Sequence, residues 1–213
     1  MMKTYKQIII EASKVNPFIA GLMSASALLN TSNLQKPNVD FSDNSQVIEY
    51  KGPADKVIKV VPYVLDWVLE YHMADGSIVT KAGGSLSWRC NNPGNLVVNN
   101  MESAKKIGAI GIWDGENNYA IFATPEDGRK ALRDWWTKGD HLDETVYDHI
   151  ERFAPSSENN IKAYRGILKQ FQVPLDKKVK DLNKEERERL YQAIEQQEAF
   201  GKAGKTYHNN NLN

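Results

Sequence analysis

A single cysteine, Cys90, stands among 213 residues, so neither an internal disulfide nor a multi-cysteine metal site can form. Histidine is scarce as well. His72, His141, His149 and His208, even with Asp140, show no His-Glu-x-x-His or comparable ligand spacing; no metal and no cofactor is expected. An excess of either charge is missing too, because 27 Lys and Arg balance 27 Asp and Glu. Nucleic-acid binders carry a basic excess or stripe, so nucleic acid is not an expected partner. The same balance gives no strong electrostatic draw to anionic membranes. Internal repeats are absent, and no window of 18 residues is apolar enough to span a bilayer.

What is present divides the chain into three. Lys3 and Lys6 precede Ile8-Ile9-Ile10, and Pro17 to Leu29 is small and apolar, with Ser24-Ala25-Ser26-Ala27 resembling a cleavage site. Glu11, Lys14 and Asn16 interrupt this run, so signal peptide, short anchor and docking segment all remain open. Residues 30–54 are rich in Asn, Ser, Asp, Lys and Pro and read as a linker. Residues 1–52 are therefore an N-terminal extension, 53–204 the main domain, and 205–213 a disordered tail.

Within the main domain the pattern reads as chiefly helical. Val61 to Ala74 is apolar on nearly every side, as in a buried helix, with Pro62 in its first turn and Asp75-Gly76 at its end. Two β-branched or aromatic runs, Ile107 to Trp113 and Tyr119 to Phe122, flank a polar Asp114–Asn118 loop and predict a β-hairpin. Thr124, Pro125 and Asp127 announce a helix whose face carries Ala131, Leu132, Trp135 and Trp136. Further helices are expected over 144–153, after Ser157, and from Lys184 to about Phe200, the last capped by Asn183 with Glu186. The expected fold class is mainly α (α+β), with a small β-hairpin lobe.

Three segments stand apart: Arg89-Cys90-Asn91-Asn92-Pro93-Gly94-Asn95-Leu96, Phe122-Ala123-Thr124-Pro125-Glu126-Asp127-Gly128, and Phe153-Ala154-Pro155-Ser156-Ser157-Glu158-Asn159. Pro, Gly and Asn together specify a bent loop, and Asn amides suit hydroxyl and acetamido groups. Over residues 86–172 these segments resemble a family of phage virion-associated and secreted bacterial proteins. That family carries Arg-Asn-Asn-Asn-Pro-Gly-Asn, a Phe-x-x-Pro-Glu-x-Gly helix start and an Ala-Pro-Pro-Ser-Glu-Asn turn. Cys90 replaces an Asn of this pattern, and Ser156 a Pro. Members resemble lysozyme-like, peptidoglycan-cleaving domains.

The resemblance implies a lysozyme-like helical domain that cleaves the glycan strand of bacterial peptidoglycan as a muramidase, glucosaminidase or lytic transglycosylase. It would act from a phage virion or be exported to the periplasm or cell envelope as an antibacterial effector. Residues 1–52 would serve a capsid, membrane or delivery partner. Glu70, at the end of the expected buried helix, is the candidate acid, although the Ser-Gly that follows such a Glu in related enzymes is missing. Glu158 is its rival. Asp114, with Glu116, is the candidate second carboxylate, whose separation from the acid sets the stereochemical outcome. Asn91, Asn92, Asn95 and Tyr164 are candidate sugar-binding residues, with local turn and core roles as the alternatives. Cys90 with His141 or His149 would instead suggest an amidase. A non-catalytic virion or wall-binding protein is the rival from another class.

Overall fold

The computed structural model describes residues 57–209 except 116, 140 and 158. The expectations for residues 1–52, Glu116, Asp140 and Glu158 lie outside the described residues.

Among the described residues strand comes first, which corrects the helical expectation for 61–74. β1 (Val57–Tyr63) and β2 (Val68–Met73) pair antiparallel, with Val61 opposite Glu70 and Pro62 opposite Leu69. A short 3-10 turn, Val64–Asp66, joins them, and Trp67 closes it at φ 56°. In β2 the side chains alternate: Leu69, Tyr71 and Met73 are buried, while Glu70 and His72 take the other face. That period of two belongs to a strand. β3 (Ile78–Ala82) and β6 (Lys205–Asn209) complete a four-stranded sheet in the order β1-β2-β3-β6. Residues 205–209, expected within a tail, thus pair with the first part of the domain.

A second sheet is the expected hairpin, β4 (Gly111–Asp114) and β5 (Asn118–Ile121). Two short helices precede it, α1 (Leu86–Arg89) and α2 (Met101–Lys106). The longer helices follow: α3 (Pro125–Thr137), α4 (Val146–Phe153), α5 (Ile161–Gln170) and α6 (Lys184–Gln197). Thr124 with Asp127 and Asn183 with Glu186 form capping boxes as the sequence predicts. The cap of α5 is Asn160 rather than Ser157.

Among the described residues, two antiparallel sheets beside six helices make a mixed α+β architecture. The expectation of a mainly helical, lysozyme-like domain is therefore overturned. Three apolar clusters hold the layers together. One joins the long helices through Leu132, Trp136, Ile150, Leu168 and Ile194. A second lies under the large sheet around Leu69, Tyr71, Val79 and Trp113. The third, around Leu96, Ala120, Phe122 and Ala131, seats the Asn-rich loop between hairpin and α3.

Candidate functional site

Residues 89–96 form the knot of the domain. Asn91 and Asn95 take positive φ, 50° and 46°, a conformation asparagine tolerates better than most residues. Asn91 Nδ2 donates to the carbonyls of Phe122 and Ala123 at 3.1 and 2.9 Å, and its Oδ1 accepts from Lys81 Nζ at 2.6 Å. Asn92 Nδ2 donates to Leu96 and Ala120 carbonyls, each at 3.0 Å, and its Oδ1 accepts from the Leu96 amide at 2.9 Å. Both side chains are buried and taken up by the fold. They staple the loop to the hairpin and the start of α3, and no amide is left over for a sugar.

Arg89 is part of the same knot. Its side chain is fully buried, Nη1 donates to the Gly83 and Gly84 carbonyls, and the guanidinium lies 4.6 and 5.1 Å from the ring centres of Trp67 and Trp113. Burial pulls its pKa down to about 10. Cys90 beside it is fully buried and its thiol is pushed up to about 12, so it is a protonated core residue. His149 sits in a different cluster, against Trp135 and Trp136, with Nδ1 3.1 Å from Glu144. The amidase pairing is not formed.

Asn95 points elsewhere. Its Nδ2 donates to Glu198 Oε2 at 2.5 Å, and the hydroxyl of buried Tyr164 donates to Glu198 Oε1. Two of the expected site residues therefore meet on a carboxylate that the sequence reading missed. Glu198 is the C-cap of α6. Desolvation raises its carboxyl pKa, against the opposing hydrogen bonds from Tyr164 and Asn95. Tyr164 in turn is driven well upward, first by burial and then by Glu198. The Ser87 hydroxyl donates to the Glu198 carbonyl at 2.7 Å, and the Ser85 amide to the Lys202 carbonyl at 2.9 Å. The end of α6 is thereby fixed against α1. A signal was available: an acid at a helix C-terminus opposes the macrodipole, and α6 has no basic residue in its last turn.

Beside this turn opens a cleft of about 630 Å3, lined among others by Trp88, Arg129, Glu195, Phe200 and Lys202, a size ordinary for small-ligand sites. Glu198 is not among the residues that line it, and its carboxyl turns to Asn95 and Tyr164.

The other candidates lie apart from this cluster. Glu70 is on strand β2, not at a helix end, 3.3 Å from the Tyr63 hydroxyl and 3.1 Å from His72 Nε2. Asp114 is exposed at the end of β4. Glu158 lies outside the described residues. Among the described residues no group of three His, Cys, Asp or Glu side chains could hold a metal ion, and no helix is long and apolar enough to cross a membrane. No family model, curated protein or solved structure matches this chain.

Proposed function

We propose that the protein cleaves the glycan strand of bacterial peptidoglycan, with Glu198 as proton donor, in a phage virion protein or an exported antibacterial effector. The observation that carries this is the Asn95–Glu198–Tyr164 cluster: a partly buried carboxyl whose pKa desolvation raises, on the turn beside the cleft. Glycoside cleavage needs a carboxylic acid whose pKa is raised, and desolvation acts in that direction on Glu198. The likeness of residues 86–172 to phage and secreted bacterial proteins supports the substrate class.

One observation favours a second reading, a non-catalytic wall-binding or virion structural protein. Tyr164 and Asn95 both donate to Glu198, which stabilises a carboxylate and ties α5 and the Asn-rich loop to α6.

Incubating the full chain with isolated sacculi, beside Glu198→Gln and Glu70→Gln, separates the two readings. Release of soluble muropeptides by wild type and Glu70→Gln, but not Glu198→Gln, is the expected result. Sacculus binding without release by the wild type establishes the second reading.

A further inference from the structure

The outer face of the four-stranded sheet is more apolar than a solvated face should be. Residues directly opposite one another in an antiparallel pair share a face. The register therefore sets Tyr63 beside Val68, Val61 beside Glu70, and Ile78 beside His72. None of the three apolar clusters includes Val61, Tyr63, Val68 or Ile78, whereas Leu69, Tyr71 and Val79, on the reverse side, all belong to one. A sheet with one face in water alternates apolar and polar residues, and a strand covered on both faces reads as a nearly continuous apolar run. The Val57–Tyr63 strand, with Lys59 as its one charged residue, is of the second kind. The central polar groups are already matched. The Tyr63 hydroxyl donates to Glu70 Oε2 at 3.3 Å, and His72 Nε2 meets the same oxygen at 3.1 Å. A cover can thus lie over Glu70 without orphaning it.

Size selects the occupant. Four strands about 4.8 Å apart and about five residues long give a face of roughly 300 Å2 in plan. A stable dimer buries about 800 Å2 on each partner, so a second copy fits poorly. A tethered segment needs less area, because its encounter is intramolecular. Residues 17–29 lie outside the described residues, carry no charge, and repeat apolar side chains at Phe18, Leu22, Ala25 and Leu29, the spacing of one helix face. A helix of that length is about 20 Å long, enough to cross the face. The 27 residues of segment 30–56 enter the domain at the first strand of this same sheet. As flexible chain they reach roughly 26–31 Å, more than the sheet is wide. We infer that residues 17–29 dock on the outer face of this sheet, with the Phe18, Leu22 and Leu29 side against Val61, Val68 and Ile78. This docking is independent of the role of Glu198.

Disulfide trapping in the full chain tests it. Cys90 is fully buried and its thiol is pushed up to about 12, so introduced cysteines report without background. Leu22→Cys is combined with Thr80→Cys, opposite Glu70 on the face, or with Lys162→Cys on the exposed side of α5. Both pairs share one tether, so a difference in their closure rates reads docking. The pair on the face should close within one chain at least about 10-fold faster than the control pair. Val61→Cys, two strands away on the same face, should behave as Thr80→Cys does, and Phe18→Asp should abolish the excess. Equal rates for face and control overturn the docking. Cross-linked dimers in place of closed monomers also overturn it, and assign the face to a second copy.

Discussion

Gly128, in the first turn of α3, is pressed against the backbone of Asn91: a Cβ placed there would stand 1.9 Å from the Asn91 carbonyl oxygen and 2.7 Å from Pro93 Cδ. Glycine alone allows this approach. The two sequence segments that look like separate motifs, the Asn-rich loop and the Thr-Pro-Glu-Asp-Gly helix start, are two sides of one contact. Gly128→Ala should therefore separate them, and because the clashing atom is backbone it cannot rotate away. Loss of cooperative thermal unfolding, or a melting temperature lowered by roughly 10 °C or more, is expected by differential scanning calorimetry.

Asn92→Ala removes three hydrogen bonds and leaves a cavity where a buried amide had been. At about 0.5–1.5 kcal/mol for each bond, a loss of roughly 2–4 kcal/mol is expected in urea unfolding. Asn95→Ala should cost much less stability and instead affect the activity proposed for Glu198.

The raised pKa of Glu198 gives its substitution a pH signature. The folded state holds that proton more tightly than the unfolded chain, whose pKa is near 4.5. Its contribution to stability is thus full below that value and is lost as pH rises through the folded pKa. Glu198→Gln carries no such charge. Its melting temperature should gain on the wild type as pH rises above 4.5; a constant difference would show that the carboxyl is not desolvated.

His149 has the opposite sign. Burial lowers its pKa below 6.5, outweighing the Glu144 contact that raises it. Glu144 itself is held down to about 2, chiefly by the hydrogen bond from Arg152, so attraction and desolvation act unequally on the two partners. The neutral imidazole supports the fold above 6.5, and this support is lost as pH falls through the lowered value. His149→Phe should flatten the fall in melting temperature as pH drops below 6.5, with Glu144, Arg152 and His141 left in place.

Two of the longer helices with explicit caps were legible in the sequence, whereas the short α2, capped by Asn100 with Ser103, was not. Thr124 with Asp127 and Asn183 with Glu186 are local signals that need no tertiary partner. The β4–β5 hairpin was legible for the same reason. Residues 57–73 were not, because a nearly continuous apolar run suits a buried helix and a covered strand alike. The decisive clues were the valines and the alternation of Leu69, Tyr71 and Met73 with Glu70 and His72. Asn91 and Asn92 have a donor and acceptor inventory that fits sugar or backbone equally, and only the positions of Phe122, Ala123 and Ala120 decide. Glu198 escaped notice because its partners, Asn95 and Tyr164, are distant in sequence.

The pairing of β6 with β3 sets an order of events in synthesis. Gly204 crosses the Gly83–Gly84 turn so closely that a Cβ on it would stand 2.2 Å from the Ala82 carbonyl oxygen, and Ile78 waits for Asn209 as its partner. Closing so long a loop is slow and comes late. Glu198 lies on the segment that this closure anchors, so the cluster cannot be assembled while the ribosome is still making α6.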